Sequence, residues 1–223
     1  FYTSCCQLSY DIIIITESWL NDSVKCAELF PPSYGVIRCD RNLSSVHKSD
    51  GGGVLVGLRE HIKYESLDVT YILKLIPLVD LVVCKCTMDN FSFFLVSVYI
   101  PPDLSVNDSE LLFEHLEILL VNKPVLIIGD FNVPEFAAKS SSPKAILLTH
   151  FCNTLELIQS NKILNSHDKL LDLLLSNIPL LIEVNKDQQP FVPEDLYHHA
   201  LAIDIEVFSP QKFTTFPLSQ DGK

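Results

Sequence analysis

Short apolar runs with the spacing of β-strands recur along most of the chain. They are rich in Val, Ile, Leu, Phe and Tyr, and Pro, Gly, Asp, Asn or Ser residues separate them. This pattern is typical of buried strands joined by turns. It predicts strands over 10–16, 34–40, 53–58, 62–66, 78–87, 91–99, 125–130, 170–176, 180–185 and 199–205.

Two segments have helical spacing instead. In the first, Asn107 is the predicted N-cap with Glu110 at N3, and the apolar stripe is Leu112, Leu116, Leu119 and Leu120. The second begins at Ser142 and Pro143, and its apolar stripe is Leu147, Phe151, Leu155 and Ile158. A shorter helix is predicted after Trp19. Hairpin-like strand pairs mixed with these helices predict an α/β fold in which two sheets pack face to face with helices outside.

The length of 223 residues and the hydrophobic content of 48% are sufficient for one large core. We expect one domain over 1–208, followed by a linker or tail over 209–223 with the Pro, Gln and Ser content of a linker. No apolar run approaches the roughly 20 residues of a membrane span, so no membrane partner is expected. The seven cysteines include no CxxC pair, and no secretory leader is recognisable. These features predict an intracellular protein, nuclear or cytoplasmic and not secreted, with reduced thiols.

The formal net charge of −12 argues against tight, non-specific nucleic-acid binding by this chain alone. A metal-dependent phosphodiesterase tolerates such acidity better than a passive binder, because divalent ions neutralise its carboxylates and neighbouring domains can supply basic contacts.

Polar side chains follow three of the predicted strands at the point where each ends. Glu17 follows the run IIIIT, Tyr99 ends the strand before Pro101, and the strand VLII leads into Asp130 and Asn132. Ligands of open α/β sheets bind beyond the carboxyl ends of strands. The two acids are therefore candidates to share one metal ion and one substrate. Each also has an ordinary alternative, because Glu17 could favour a helix N-terminus and GDFN could be a simple turn.

Three later features are ambiguous from the sequence alone. Asp172 interrupts the apolar run LLDLLLSN, so it either faces water on an edge strand or is paired in a site. His198 and His199 lie on opposite faces of a predicted strand, so at most one of them can serve a site. The triple glycine 51–53 lacks the lysine and the following helix of a phosphate-binding loop, so it predicts a tight turn into a strand.

The ordered motifs TESWL, GGGVLV, VYIPP, GDFN, LDLLLSN and HHALAI resemble the endonuclease/exonuclease/phosphatase superfamily. More narrowly, they resemble the apurinic-type endonuclease domain of non-LTR (LINE-like) retrotransposon proteins. The resemblance implies a DNase I-like two-sheet α/β sandwich and magnesium-dependent phosphodiester cleavage, with manganese as a substitute. It implies DNA as the partner, nicked so that the 3′ hydroxyl primes reverse transcription, and a C-terminal reverse transcriptase domain in the parent protein.

The resemblance also implies a role for each motif residue. Glu17 would be the metal ligand, Asp130 would activate the attacking water and Asn132 would hold the scissile phosphate. Tyr99 would contact that phosphate, Asp172 would support the leaving-group side, and His198 would donate to the phosphate or act as acid and base. Arg38 and Arg41 resemble an arginine pair of the retrotransposon branch and would contact the DNA backbone, although a solvated loop pair is equally compatible with the sequence.

Two departures from the family pattern predict an impaired site. The family's first motif, a strand carrying an Asn, is not found before Glu17, which predicts an N-terminally truncated domain with an unpaired strand and an open hydrophobic slot. Tyr197 occupies the position where the family has an Asp that orients the closing histidine, so His198 should be less basic and less fixed, unless the loop lets Asp195 substitute. A non-catalytic interaction module with the same fold and a phosphoinositide-type phosphatase are the alternatives to an endonuclease.

Overall fold

The computed structural model describes residues 1–8, 10–41, 51–89 and 91–207. All ten predicted strands are present, shifted by a few residues at most at their ends. The strands are β1 (Ile12–Thr16), β2 (Tyr34–Cys39), β3 (Val54–Arg59), β4 (Lys63–Ser66), β5 (Asp80–Met88), β6 (Phe91–Tyr99), β7 (Val125–Asp130), β8 (Ile158–Gln159), β9 (Asp172–Ser176), β10 (Leu180–Lys186) and β11 (Leu201–Val207). The helices are α1 (Tyr2–Gln7), α2 (Cys26–Leu29), α3 (Thr70–Leu75), α4 (Val106–Leu120), α5 (Pro134–Ala137) and α6 (Pro143–Thr154).

The larger sheet has six strands in the order β4-β5-β6-β7-β9-β8. Only the central pair β6 and β7 is parallel, and the helix α4 makes the crossover between them. The other neighbours in this sheet are antiparallel. Because β7 lies between β6 and the antiparallel β9, the end of β6, the end of β7 and the start of β9 meet at one edge.

The second layer is divided into the three-stranded sheet β1-β3-β2 and the hairpin β10-β11. Its apolar side chains pack against the large sheet, with Val56 and Leu58 of β3 meeting Cys84 and Leu95 of β5 and β6. The predicted two-sheet α/β sandwich is therefore confirmed, with the refinement that one of its sheets is in two parts. All seven cysteines are free, as the sequence predicts.

The helices α3, α4 and α6 cover the opposite face of the large sheet, where Leu112, Leu116, Phe151 and Leu155 join one core. Ser142 caps α6 as predicted, with its Oγ accepting from the Ala145 N–H.

The predicted cap of α4 is wrong, because Ser105 and not Asn107 accepts from the first turn, through the Asp108 N–H. The prediction for Ile158 is also wrong. The helix ends at Thr154, Glu156 takes a φ of 56°, and Ile158 lies 71% exposed in β8.

An apolar groove with a cavity volume of about 1050 Å³ lies beside β1. Side chains of β1, of β6 and β7, and of β11 line it, among them Ile14, Phe93, Ile128 and Ile203. No helix in the described part of the chain is long and apolar enough to cross a membrane. The predicted tail over 209–223 lies outside the described residues.

Candidate active site

A row of polar residues crosses three neighbouring strands of the large sheet. Tyr99 of β6 is the register partner of Asp130 in β7, and Asp130 is the partner of Asp172 in β9. Register partners point to the same face of a sheet. The three side chains therefore stand side by side on the face that meets the second layer, at the edge where β6 and β7 end.

Asp130 is held by the turn that follows it. Its side chain is 1% exposed, and its two oxygens accept from the backbone N–H and the Nδ2 of Asn132 at 3.1 and 2.7 Å. Asn132 adopts a φ of 50°, a left-handed conformation that Asn tolerates better than most residues. Its Nδ2 also donates to the Ile100 carbonyl at 3.0 Å. Both amide hydrogens are thus used within the protein, which makes Asn132 an orienting partner of Asp130 in this geometry.

Burial, and after it the nearby Asp172 carboxylate, together raise the pKa of Asp130 to about 8. His198 and the Asn132 N–H oppose this rise but do not cancel it. A carboxyl group with this pKa binds protons far more tightly than an ordinary aspartate, and perturbed acids of this kind concentrate in functional sites.

His198 lies between the two carboxylates of the row. Its Nδ1 is 3.0 Å from Asp172 Oδ2, and its Nε2 is 3.6 Å from Asp130 Oδ2. Desolvation lowers the pKa of the imidazole, but the hydrogen bond to Asp172 and the charges of Asp172, Asp130 and Asp195 outweigh it and raise the pKa to about 9.

The prediction that His198 lacks an orienting carboxylate is therefore wrong. Asp172 supplies it from β9, 26 positions away in sequence. Asp195 accepts instead from the backbone N–H groups of Tyr197 and His198, both at 2.7 Å, and so shapes the loop. His199 faces Glu194 at 3.8 Å, apart from the row, as the alternation predicts.

Glu17 approaches the row from the end of β1 in the second layer. It is exposed, it has a φ of 50°, and its Oε2 lies 3.4 Å from Nε1 of Trp19. Tyr99 is buried at 5% exposure. Desolvation raises the pKa of the Tyr99 hydroxyl, and interaction with the Glu17 carboxylate raises it further. The same Glu17 charge also raises the pKa of Asp130, so Glu17 belongs to the same site.

The two arginines do not resemble each other in their surroundings. Arg38 donates to the carbonyls of Val24 and Asn21 and pairs with Asp40 at 2.7 Å. Arg41 is buried and donates to Asp80 Oδ2 from Nε and Nη2, at 3.0 and 2.6 Å. With 4% side-chain exposure its guanidinium has no access to a DNA phosphate. The structure thus does not favour the DNA-contact interpretation for Arg41.

Sequence reasoning missed Asp80. It opens β5, it is the register partner of Tyr99, and it extends the polar row to four strands. The signal was an acid at the start of a strand otherwise made of apolar residues, DLVVC.

Three of the site residues have the spacing of a metal-binding group. One ligand atom each from Asp130, Asp172 and His198 lies within 4.8 Å of the others. The sequence assigned Glu17 alone to the metal, so the structure adds a second set of donors at the same edge.

Comparison with known proteins agrees with this architecture. Residues 93–195 match a family model described as endonuclease-reverse transcriptase. The endonuclease domain of TRAS1, a telomere-specific non-LTR retrotransposon, superimposes with a TM-score of 0.65 at 14% identity, over 92% of this chain and 89% of that chain. No curated protein matches the sequence.

Two bacterial structures share the fold at similar identity. One is an endonuclease/exonuclease/phosphatase family protein from Bacteroides thetaiotaomicron, with a TM-score of 0.56 at 14% identity over 91% of this chain and 85% of that chain. The other is the mannosyl-6-phosphatase Bt3783 of the same organism, with a TM-score of 0.58 at 14% identity over 88% and 85%. The fold is thus common to a nuclease and a phosphatase. This chain has the DNase I-like α/β fold, and its predicted resemblance to the endonuclease/exonuclease/phosphatase superfamily, and within it to the endonuclease domains of non-LTR retrotransposon proteins, is confirmed.

Proposed function

We propose that the domain is a divalent-metal-dependent phosphodiesterase that nicks DNA. The observation that carries the proposal is the polar row of Tyr99, Asp130 and Asp172, with His198 bonded to Asp172 and Glu17 facing it from the second layer. In our proposal Asp130 is the carboxylate base, His198 is the cationic donor, and Glu17 is a separate exposed carboxylate at the same edge. The match of residues 93–195 to the endonuclease-reverse transcriptase model favours a nuclease over other hydrolases of the fold.

The residues present fit a divalent cation. Asp130, Asp172 and His198 each offer one donor atom within 4.8 Å of the others, and the Glu17 carboxylate is near enough to raise the pKa of Asp130. Carboxylate oxygens are the donors that magnesium and manganese prefer. Glu17, exposed and close to the row, is the residue we expect to hold the ion. When bound, a divalent ion supplies charge neutralisation and polarisation of a phosphate oxygen.

Asp130 is placed to take a proton from the attacking water. A carboxylate whose pKa is raised to about 8 is, when ionised, a stronger base than an ordinary aspartate. Asn132 fixes both of its oxygens, so the base has one orientation. The predicted contact of Asn132 with the phosphate is replaced in our proposal by this orienting role.

His198 is placed to donate a proton or a charged hydrogen bond to the phosphate. With a pKa raised to about 9 it is protonated at neutral pH. Its Nδ1 is engaged by Asp172, so its Nε2 is the atom directed at the reaction centre, next to Asp130. Tyr99 adds a neutral hydroxyl at the same edge, since its raised pKa keeps it protonated. Together these groups can stabilise the charge that develops in an in-line displacement of a 3′ oxygen.

The biological setting we propose is target-site nicking for reverse transcription. The name of the matching family model and the TRAS1 likeness support a parent protein with a reverse transcriptase domain. The net charge of −12 fits this setting, because a neighbouring domain would supply the basic DNA contacts that this chain lacks. Residues 1–208 would then form the catalytic domain and 209–223 the start of a linker.

The experiment is nicking of supercoiled plasmid by the 223-residue chain with magnesium, with manganese and with EDTA. His198→Ala should reduce nicking by roughly 100-fold or more, the usual effect of removing an acid-base group. His150→Ala is the matched control, since that histidine is 73% exposed and contacts Glu117 and Thr154 on the helical face. Nicking that persists in EDTA or in His198→Ala would contradict the proposal.

The second candidate is hydrolysis of a phosphomonoester, because a sugar phosphatase has the same fold. Release of inorganic phosphate from mannose 6-phosphate and from an inositol phosphate, measured beside plasmid nicking, separates the two. Turnover of a monoester without any nicking of the plasmid would favour this second function over the first.

A further inference from the structure

We propose that the buried pair Arg41 and Asp80 positions the two residues that reach the active-site edge from different layers, Glu17 and Tyr99. Arg41 and Asp80 touch no substrate in this assignment and act through their neighbours. The inference rests on the proposed function for its activity readout, but its main test does not require any activity.

The pair is buried and hydrogen-bonded to both layers. The side chains of Arg41 and Asp80 are each 4% exposed, and two guanidinium nitrogens donate to one carboxylate oxygen. Arg41 Nη2 also donates to the Leu78 carbonyl at 2.9 Å. The same Asp80 oxygen accepts from the Gly53 N–H at 2.7 Å. Asp80 thereby joins β5 of the large sheet to the segment that leads into β3 of the second layer.

From Gly53 the contacts continue directly to the turn that carries Glu17. The Ser18 N–H donates to the Gly53 carbonyl at 3.1 Å, and the Trp19 N–H donates to the Gly52 carbonyl at 3.0 Å. Glu17 and Trp19 both have positive φ, of 50° and 53°, which is an unfavourable conformation for residues with large side chains. Surrounding contacts must therefore hold this turn in place, and the glycine segment provides them.

Two of the three glycines have no space for a side chain, Gly52 because the Arg41 guanidinium packs on it and Gly53 because the Ser18 hydroxyl does. A Cβ at Gly52 would lie 2.2 Å from Arg41, and a Cβ at Gly53 would lie 2.6 Å from Ser18 Oγ. The segment 51–53, which has no side chains, therefore lets the ion pair and the Glu17 turn approach the same stretch of backbone from two sides. This gives the triple glycine a function that a tight turn alone does not explain.

The same pair also fixes Tyr99. Asp80 is its register partner across β5 and β6, and the Arg41 guanidinium carbon lies 5.0 Å from the centre of the Tyr99 ring. A cation over an aromatic face restrains the plane of the ring. Arg41 thus contacts the face of the ring, and the Glu17 carboxylate acts on the Tyr99 hydroxyl strongly enough to raise its pKa.

A role in stability alone does not account for this arrangement. Replacing a buried ion pair by apolar side chains of similar volume is often neutral or stabilising. A positioning role predicts instead that such a replacement leaves the fold intact and moves the Glu17 turn and Tyr99.

The test uses the single tryptophan of the chain, Trp19, which is two residues from Glu17. Labelling with 5-fluorotryptophan gives one ¹⁹F resonance that reports the geometry of this turn. The variants are Asp80→Asn, Arg41→Lys and the double variant Arg41→Met/Asp80→Leu. The matched control is Arg59→Lys, because Arg59 also stacks on a tyrosine, Tyr34, at 5.5 Å, but at the opposite end of β3.

We expect the ¹⁹F resonance of Trp19 to shift or split in all three variants and to stay unchanged in Arg59→Lys. In the nicking assay the divalent-ion concentration for half-maximal activity should rise roughly 10- to 100-fold, as for other residues that orient metal ligands. Thermal unfolding of the double variant should remain cooperative, which keeps the test valid if a single variant unfolds.

A double variant that folds with an unchanged Trp19 resonance would overturn the proposal and reduce the pair to a structural contact. A shifted resonance supports positioning even if the wild-type chain nicks no DNA, so failure of the proposed function is seen separately. If the wild type nicks DNA, a variant could shift the Trp19 resonance and still need the same divalent-ion concentration for half-maximal nicking. That result would overturn the link between the pair and Glu17.

Discussion

Substituting Asp172 by Asn should lower the pKa of His198 from about 9 to 6.5 or below. The hydrogen bond from His198 Nδ1 to Asp172 Oδ2, at 3.0 Å, is the leading cause of the raised pKa, and desolvation of the imidazole opposes it. In the variant the amide keeps the shape of the carboxylate but loses its charge. Desolvation then still lowers the pKa of His198, and only the weaker attractions of Asp130 and Asp195 oppose it.

The size of the effect follows from the two pKa values. A rise from 6.5 to about 9 corresponds to about 3 kcal/mol of preference for the imidazolium in the folded state, at roughly 1.4 kcal/mol for each tenfold change in proton affinity. The His198 side chain is 32% exposed, so solvent screens its charge. We therefore expect His198 to contribute about 1 to 2 kcal/mol to the free energy of unfolding.

The sign of the stability effect is set by the raised folded-state pKa. The contribution of His198 is fully present below pH 6.5, and it is lost as the pH rises through about 9. Asp130 acts in the same direction, because its pKa is raised from 3.8 to about 8 and the folded state retains its proton longer. Without divalent ions, the free energy of unfolding should therefore fall between pH 6.5 and pH 9, and Asp172→Asn should flatten this slope.

The assay is a proton NMR titration of the histidine Cε1–H resonances in EDTA, with His198→Gln to assign the signal. Glu117→Gln is the control, since it removes the carboxylate 3.5 Å from His150 and should leave His198 unchanged. Urea unfolding at several pH values gives the stability curve. A His198 signal that still titrates near pH 9 in Asp172→Asn would refute the reasoning, because Asp172 would then not be the source of the raised pKa.

Three further predictions concern the same edge of the sheet. Asp130→Asn should abolish nicking and raise the free energy of unfolding at pH 9 by about 1 kcal/mol, because a buried carboxylate is no longer desolvated there; unchanged stability at pH 9 would contradict the raised pKa. Gly129→Ala should destabilise the protein by about 3 kcal/mol or more in urea unfolding, because its Cβ would lie 2.0 Å from the backbone oxygen of Val98. Gly52→Ala should lower the free energy of unfolding by about 1 to 3 kcal/mol, since its φ is +79° and the Arg41 guanidinium fills the space of a Cβ. Gly51→Ala is the control, because a Cβ there meets nothing within 4 Å and the variant measures only the cost of a positive φ.

The sequence by itself determined ten of the eleven strands in the described part of the chain, and the residues that follow or end several of them. Alternation of apolar side chains and the turn residues between the runs act over a few neighbouring positions, so they are readable without any structure. For the same reason Glu17, Tyr99 and Asp130 could be placed at strand ends, and Ser142 could be recognised as a cap. The Ser105 cap was missed because two polar residues close together compete for this position and local sequence does not choose between them.

Only the tertiary structure decided which polar groups meet. The pairing of β9 with β7 brings Asp172 beside Asp130, and it gives His198 a carboxylate partner that Tyr197 cannot provide. The pairing of β5 with β6 places Asp80 opposite Tyr99, and the packing of the two layers brings the buried Arg41 into contact with both. Strand register and layer packing are set by the sum of many contacts between distant segments. A motif read along the chain contains the donors and acceptors but not their partners.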